Sequence, residues 1–277
     1  MMPAWPRSYL FVPGDRPERF AKALASGADA VVLDLEDAVA PAAKAAARAE
    51  VAQALASLPA EQRARCVVRL NDPATPWFEA DLAALRAAGA PALMWPKAED
   101  PTLLARCQAA WPAPALLPLI ESAAGVQAAE ALARLPNVQR LVFGTLDYAL
   151  DMGLAGPLAA SLGLDAAAAR IALASRLAGL APPVAGVTAA LDDPAALRED
   201  LQRAMAHGYQ AKLCIHPRQV AAVHALLAPS PAELDWARRV LAALDGPAGA
   251  AGALQVDGRM VDKPLIERAR RLLQVAR

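Results

Sequence analysis

The sequence predicts an α/β fold, a (β/α)8 TIM barrel with a C-terminal helical extension or lid. Short apolar runs that end in polar or Gly/Pro residues alternate with helix patterns rich in Ala, Leu and Arg. Runs such as AVVLDLE and ALLPLIE are continuously apolar, as in parallel strands buried on both faces. Eight units in roughly 230 residues suit such a barrel. The alternative, an open doubly wound sheet, is disfavoured because the first turn, VPGDRPERF, lacks a glycine-rich phosphate loop.

Each predicted strand is a short run of Val, Leu, Ile or Ala bounded by turn-forming residues. Parallel strands of a barrel point the same way, so their carboxyl ends form one mouth. The eight predicted strands are Ser8–Pro13, Ala30–Glu36, Cys66–Asn71, Ala92–Lys97, Ala115–Glu121, Gln139–Gly144, Pro183–Val187 and Lys212–His216.

The segments between the strands carry most of the alanines, and alanine is the best helix former. One of them begins with proline, whose missing N–H is tolerated in the first helical turn. The predicted helices are Arg16–Ala25, Pro41–Leu58, Trp77–Ala87, Pro101–Ala109, Ala123–Leu135, Asp165–Leu180, Pro194–Ala206 and Arg218–Leu227.

The pattern changes near residue 230, which divides the chain into a barrel, 1–230, and a C-terminal segment, 231–277. The segment contains a helix over Pro231–Leu244 and a small-residue stretch, DGPAGAAGA (245–253), typical of a flexible linker. A strand and turn over Leu254–Met260 then precede a helix that begins near Pro264. A barrel does not need these elements, so we expect a lid or an arm that reaches a neighbouring subunit.

Composition excludes several classes of protein. The 28 Lys and Arg residues balance 28 Asp and Glu residues with no basic stretch, which argues against a nucleic-acid partner. Hydrophobic residues reach 56%, but no run is long enough to predict a membrane span. The first residues lack the pattern of a signal peptide. Three cysteines without CxxC spacing disfavour a zinc cluster or a disulfide framework, so we expect a cytoplasmic protein.

Charged residues gather at the predicted mouth, where barrel active sites lie. Glu121 and Asp147 follow otherwise apolar strands, where an acid without a partner is costly. Two carboxylates with no paired His or Cys suit Mg²⁺. The alternative is that each carboxylate caps the following helix. The spacing alone does not decide between metal binding and capping.

Arg69 ends the third predicted strand, in VVRLND. Its guanidinium can bind a substrate carboxylate or an enolate oxygen through two parallel hydrogen bonds, or it can pair with the acids of the second strand. Alternation along that strand places Asp34 and Glu36 on one face and Asp37 on the other, so we expect at least one of the three to be structural.

Seven segments occur in an order that resembles a known superfamily. They are RSYLFVPGDRPERFAKAL, ADAVVLDLEDAVAPAAKAAAR, VVRLND, LPLIESAAGV, LVFGTLDYALDMG, KLCIHPRQV and MVDKPLIERAR. Together they resemble the HpcH/HpaI aldolase and citrate lyase β-subunit superfamily, most closely the CitE-like acyl-CoA lyases, which include malyl-CoA and citramalyl-CoA lyases. The resemblance spans nearly the whole chain.

The resemblance implies a barrel enzyme that uses Mg²⁺, with Mn²⁺ as a substitute, and forms homotrimers or hexamers. Such enzymes cleave or form the carbon–carbon bond between an acyl-CoA and a 2-keto acid. Glu121 and Asp147 match the metal ligands, and Arg69 matches the arginine that contacts substrate and steadies the enolate. Glu36 and Asp37 match acids that hold metal-bound water.

Further residues are implied by the same resemblance. The turn of Gly144, Thr145, Leu146 and Asp147 matches the segment whose backbone N–H groups bind the substrate carboxylate. Asp262, in MVDKP, matches an acid/base aspartate that lyases bring over a neighbouring subunit's active site. Arg16 and Lys22 are candidate partners for the phosphates of coenzyme A, which forms part of the substrate.

Three alternatives remain beside the lyase. The same scaffold could hydrolyse an acyl-CoA thioester. The chain could be a citrate lyase β component active only with acyl-carrier partner subunits, although MVDKP favours a stand-alone enzyme. It could also be an inert barrel used as a scaffold.

Overall fold

The computed structural model describes residues 5–244 and 254–275, without the side chains of residues 157–161, 254 and 275. Eight parallel strands pair in chain order and close into a barrel, which confirms the predicted fold class. The strands are β1 (Ser8–Pro13), β2 (Ala30–Asp34), β3 (Cys66–Arg69), β4 (Ala92–Trp95), β5 (Ala115–Ile120), β6 (Val142–Phe143), β7 (Val184–Ala185) and β8 (Ala211–Cys214).

Most strands are shorter than predicted. The apolar runs used to predict them extend past the paired residues, because buried apolar residues such as Leu35 and Leu70 continue into the loops. β2 ends at Asp34 rather than Glu36, since the Glu36 N–H donates to the Asp34 side chain instead of extending the ladder. β5 ends at Ile120, one residue before Glu121. Asp34 and Arg69 are direct partners in the β2–β3 register, so their side chains leave the sheet at the same height.

Helices follow the strands as the alanine-rich pattern predicts. Two predicted helices begin with 3₁₀ turns, Pro17–Arg19 and Pro41–Ala43. The α-helices of the barrel are α1 (Phe20–Leu24), α2 (Lys44–Ser57), α3 (Ala60–Arg63), α4 (Phe78–Ala87), α5 (Pro101–Ala110), α6 (Ala123–Ala133), α7 (Thr145–Asp151), α8 (Pro157–Leu177), α9 (Pro194–Ala206) and α10 (Pro217–Leu227).

Two helices differ from the prediction. The segment predicted as a turn after β6 is the short helix α7. α8 begins at Pro157 rather than Asp165, because proline is well suited to the first helical turn and the glycine that follows at 163 is tolerated inside the helix. No helix within the described ranges is long and apolar enough to cross a membrane.

The barrel interior changes from apolar to polar toward the mouth. Its buried core contains Val32, Val67, Leu119 and Val142, together with further residues of all the strands. Side chains two residues apart share a face of a strand. The next inward positions are therefore Asp34, Arg69, Glu121 and Gly144, which brings the charged candidates to the carboxyl ends of β2, β3, β5 and β6.

Arginines at the opposite, amino end of the barrel bind neutral oxygens. Arg140, which is 1% exposed, donates to the carbonyls of Pro6 and Pro182. Arg65 donates to the carbonyls of Leu24 and Ala28. These groups satisfy the arginines and join loops at that end.

The chain divides into two compact units, one over Trp5–His224 and one from Ala225 onward. The second contains α11 (Pro231–Leu244), an antiparallel hairpin of β9 (Leu254–Val256) and β10 (Arg259–Val261), and α12 (Lys263–Val275). Its core includes Ala237, Val240, Val256, Val261 and Ala269. The predicted flexible linker, 245–253, lies outside the described residues.

Candidate active site

Arg69 is the centre of a buried charged cluster at the mouth. Its Nε and Nη2 donate to Asp34 Oδ1 and Oδ2 at 2.7 and 2.6 Å, a bidentate pair. Its Nη1 lies 2.8 Å from Glu36 Oε2 and 3.1 Å from Asp37 Oδ2. The guanidinium carbon lies 4.9 Å from the centre of the Phe11 ring. The ion pair with the acids of the second strand, one of the two alternatives for Arg69, therefore exists.

Asp34 is the structural member of the three acids. Besides Arg69, it accepts the backbone N–H groups of Glu36 at 2.9 Å and Ala38 at 3.2 Å, and so folds the loop after β2. The prediction that Asp37 lies on the opposite face was wrong. Because β2 ends at Asp34, two-residue alternation does not extend to Asp37, and the loop turns its carboxylate back to Arg69.

Glu36 is buried without a complete set of partners. Its Oε2 is inaccessible and accepts no hydrogen bond, because the nearby Arg69 N–H group is not aligned with it. Burial raises the pKa of Glu36 to about 8, and Arg69 opposes this shift, whereas Asp37 and Glu121 add to it. A buried carboxylate oxygen that accepts no hydrogen bond marks a position where a ligand or water would be stabilised.

Glu121 follows β5 and is 5% exposed. Its Oε1 accepts the backbone N–H of Lys97 at 2.7 Å, and Lys97 adopts the left-handed region, with φ of 42°, to present that group. Burial raises the pKa of Glu121 to about 7, and the Asp147 charge adds to the increase against the Lys97 hydrogen bond. A Cβ atom at Gly144 would lie 2.8 Å from Glu121 Cβ, so a glycine is needed there.

Neither Glu121 nor Asp147 caps a helix, which removes the capping alternative. α6 is capped by Ser122, whose Oγ accepts the Gly125 N–H at 3.1 Å, and Asp151 accepts the Ala123 N–H at 2.8 Å. α7 begins after Gly144 with no side-chain cap, and Asp147 lies exposed in its first turn.

The donors at this mouth fit a hard cation. Glu121 and Asp147 offer only oxygen atoms, and no Lys or Arg in the described part of the chain forms an ion pair with Glu121. Among those residues, no group of three His, Cys, Asp or Glu side chains could hold a metal ion. Two carboxylates nevertheless suit Mg²⁺, which completes its coordination with waters and substrate oxygens.

The other predicted site residues lie in several places. The Gly144 N–H donates to the Ile120 carbonyl at 2.8 Å, so this N–H is already used within the barrel. Thr145 and Leu146 are the first two residues of α7. Arg16 and Lys22 are exposed, at the first 3₁₀ turn and on α1. Asp262 is exposed in the C-terminal unit, where its Oδ1 accepts the Leu265 N–H at 3.3 Å at the start of α12.

Lys44, which is 5% exposed on α2, was not among the residues predicted for the site. Its Nζ donates to the carbonyls of Leu35 and Glu36 at 2.7 and 2.6 Å. The signal was present in the sequence, because Lys44 shares a helical stripe with the buried residues Ala47, Val51 and Leu55. A lysine on an otherwise apolar stripe indicates a buried polar contact.

Comparison with known proteins assigns the chain to a family. Residues 7–217 match the model of the family described as HpcH/HpaI aldolase/citrate lyase. The chain belongs to this family. The family and enzyme class predicted from the sequence are thereby confirmed, because the family comprises aldolases and citrate lyases.

Relatives cover nearly the full chain. A citrate lyase subunit beta-like protein of Deinococcus radiodurans is 40% identical over 98% of this chain and 97% of its own. A (3S)-malyl-CoA thioesterase of Cereibacter sphaeroides is 35% identical, over 98% and 94%. An L-malyl-CoA/beta-methylmalyl-CoA lyase from the same species is 34% identical, over 99% and 96%.

A solved structure gives the same picture of the fold. CitE from Mycobacterium tuberculosis, in complex with magnesium, acetoacetate and coenzyme A, superimposes with a TM-score of 0.84. The two sequences are 34% identical, and the match covers 99% of this chain and 98% of that chain.

Proposed function

We propose that the chain is a Mg²⁺-dependent lyase that cleaves a 3-hydroxyacyl-CoA of the malyl-CoA or citramalyl-CoA type into an acyl-CoA and a 2-keto acid. The observation that carries the proposal is the pairing of two features at one mouth. One is the buried Arg69 cluster, and the other is the buried carboxylate of Glu121, which forms no ion pair with any described residue. Relatives that act on malyl-CoA support the substrate class.

Glu121 and Asp147 are the proposed Mg²⁺ ligands, with Mn²⁺ as a substitute. When bound, the ion polarises the substrate oxygen that becomes the keto group. Lys97 and Gly144 hold the Glu121 carboxylate in place, the first through its N–H and the second by leaving space. The CitE complex with magnesium and coenzyme A supports magnesium as the ion and a coenzyme A thioester as substrate.

Cleavage requires three events that separate residues can support. The proton of the C3 hydroxyl passes to a base, the C2–C3 bond breaks, and its electron pair forms the enolate of the thioester. Arg69 stabilises charge on the enolate oxygen. Glu36, whose pKa is raised to about 8 by burial, is suited to take the hydroxyl proton, because a base works best with a pKa near the operating pH.

Asp262 is proposed to donate the proton that converts the enolate carbon into the methyl or methylene group of the acyl-CoA. We expect a homotrimer or hexamer in which Asp262 serves a neighbouring subunit, and a cytoplasmic location. Arg16 and Lys22 remain the proposed partners of the coenzyme A phosphates. The N–H groups of Thr145, Leu146 and Asp147 are the proposed donors to the substrate carboxylate.

Thioester hydrolysis is the second candidate, favoured by the 35% identity to a (3S)-malyl-CoA thioesterase. Incubation with (3S)-malyl-CoA or citramalyl-CoA and Mg²⁺, followed by mass spectrometry of the products, separates the two. The lyase yields acetyl-CoA with glyoxylate or pyruvate. Free coenzyme A with malate or citramalate would establish the hydrolase, and no turnover of either substrate would contradict both. Turnover by the purified chain would also exclude dependence on acyl-carrier partner subunits.

A further inference from the structure

Two cations on one turn of α2 contact segments next to the proposed catalytic residues. Lys44 and Arg48 are four residues apart, so they lie on the same face of the helix. Lys44 donates two hydrogen bonds to consecutive carbonyls, those of Leu35 and Glu36. Its Nζ also lies 5.4 Å from the centre of the Trp77 ring. A lysine is rarely buried without partners, so these contacts explain its position.

Arg48 reaches the neighbouring strand end through one intermediate. Its Nε donates to Asp81 Oδ1 at 2.6 Å. Asp81 Oδ2 accepts the backbone N–H of Asn71 at 3.1 Å and its side-chain Nδ2 at 2.7 Å. Asp81 and Asn71 are both fully buried, and Asn71 follows Arg69 by two residues. The chain of contacts therefore links α2 to the end of β3.

The Glu36 carboxylate has few contacts that orient it. Its Oε2 accepts no hydrogen bond, although it lies 2.8 Å from Arg69 Nη1. Besides its ion pair with Arg69, the carboxylate is therefore positioned by the segment that carries it. The carbonyl of that same residue is one of the two that Lys44 binds.

We propose that Lys44 and Arg48 are positioning residues that hold Glu36 and Arg69 at a fixed separation for carbon–carbon cleavage. The catalytic part of this inference rests on the proposed function. The mechanical part, that the loop after β2 is held by Lys44, does not. A shift of about 1 Å in a reacting group can lower a rate by about 10²-fold, which sets the scale of the expected effect.

The test replaces Lys44 with methionine, which keeps an unbranched side chain and removes the donors. Lys44→Met should lower kcat for keto-acid release by about 10²-fold and leave KM within about threefold. Amide hydrogen exchange of Leu35, Glu36 and Ala38 should become at least about tenfold faster, because their hydrogen bonds depend on the loop. Mg²⁺ affinity should stay within about twofold, since Glu121 and Asp147 follow other strands.

Arg65→Met is the matched control, since it also removes a partly buried cation that donates to backbone carbonyls, but at the amino end. Arg65→Met should lower the free energy of unfolding and leave kcat unchanged. Arg48→Met, a second variant that does not alter Lys44, should lower kcat about tenfold and speed exchange at Asn71, while Arg48→Lys should recover most of the loss.

The outcomes separate the two proposals. A kcat for Lys44→Met equal to that of Arg65→Met, or unchanged exchange over Leu35–Ala38, would overturn the positioning role. If Lys44→Met does not fold, wild-type kcat and exchange in Arg48→Met would overturn it. If the wild-type protein cleaves no carbon–carbon bond, the proposed function fails, and the exchange of Leu35–Ala38 still decides whether Lys44 holds the loop.

Discussion

Arginines are buried at both ends of the barrel, and their partners differ in kind. At the amino end, Arg140 binds two backbone carbonyls, which carry no net charge. At the carboxyl end, Arg69 faces Asp34, Glu36 and Asp37. Glu121 is close enough to raise the pKa of Glu36. Among the described residues of this cluster, carboxylates therefore outnumber arginines.

The difference indicates what each end contributes. Hydrogen bonds from a buried cation to carbonyls close the amino end and contribute to stability. Burial of carboxylates at the carboxyl end, with neighbouring carboxylates adding to it, carries an electrostatic cost, seen in the raised pKa values of Glu36 and Glu121. A bound cation would relieve that cost, so the same feature that weakens the fold prepares a metal site.

The largest expected effect comes from neutralising the mouth. Glu121→Gln should lower kcat/KM by roughly 10⁴-fold, because metal polarisation of the substrate supplies several kcal/mol. Without Mg²⁺, the variant should melt no earlier than the wild type, since a buried charge has been removed. Glu130→Gln, at an exposed position on α6, is the control for both steady-state kinetics and Tm. Equal kcat/KM in the two variants would contradict a special role for Glu121.

A second variant shows whether the mouth is complete within the barrel. Asp262→Asn should lower kcat by about 10³-fold with little change in KM, because proton transfer is lost. Asparagine caps a helix as well as aspartate does, so α12 should remain stable. Asp257→Asn, in the turn between β9 and β10, is the control. Wild-type kcat in Asp262→Asn would remove Asp262 from the mechanism.

Mixed oligomers extend that comparison. Glu121→Gln and Asp262→Asn protomers, each strongly impaired alone, should recover activity when unfolded and refolded together, if Asp262 serves a neighbouring subunit. Mixtures that stay as inactive as the separate variants would indicate that each subunit carries its own Asp262.

The amino end should respond in stability alone. Arg140→Met leaves the carbonyls of Pro6 and Pro182 without their donor, and should lower the free energy of unfolding by about 2–4 kcal/mol. The kcat of the folded protein should stay within about twofold of the wild type. Urea denaturation and kinetics below the transition measure the two quantities. A large loss of kcat would break the division between the two ends.

The smallest effect is a pH dependence of stability at the amino end. Burial lowers the pKa of His224, which Asp29 opposes and Arg7 reinforces. The unfolded chain then binds more protons, so this contribution is present above about pH 6.5 and is lost as pH falls through the lower, folded pKa. In His224→Gln, the midpoint of urea denaturation should change less between pH 5 and pH 7.5 than it does in the wild type. If the midpoint of the variant changes with pH as much as that of the wild type, His224 is not the source of the pH dependence.

Sequence patterns were sufficient for the barrel and for the strand ends of the site. Arg69 and Glu121 stood out because each is a charged residue at the end of an apolar run. Parallel strands necessarily bring such ends together. The family motifs then supplied roles that spacing alone left open.

Other features depend on contacts that no local pattern encodes. The position of Asp37 followed from where β2 ends, which the Asp34 side chain determines by accepting the Glu36 N–H. The helical stripe of α2 indicates that Lys44 is buried, but its partners, the carbonyls of Leu35 and Glu36, depend on how closely α2 approaches the loop after β2. The engagement of the Gly144 N–H with Ile120 depends on the β5–β6 register. Each is a tertiary contact between segments that the sequence separates or leaves ambiguous.

A crystal structure of the protein grown with Mg²⁺ and pyruvate or glyoxylate tests the central claim most directly. We expect one Mg²⁺ ion bound by the carboxylates of Glu121 and Asp147, with the keto acid completing its coordination. An ion bound elsewhere, or a mouth that holds the keto acid without metal at saturating Mg²⁺, would contradict it.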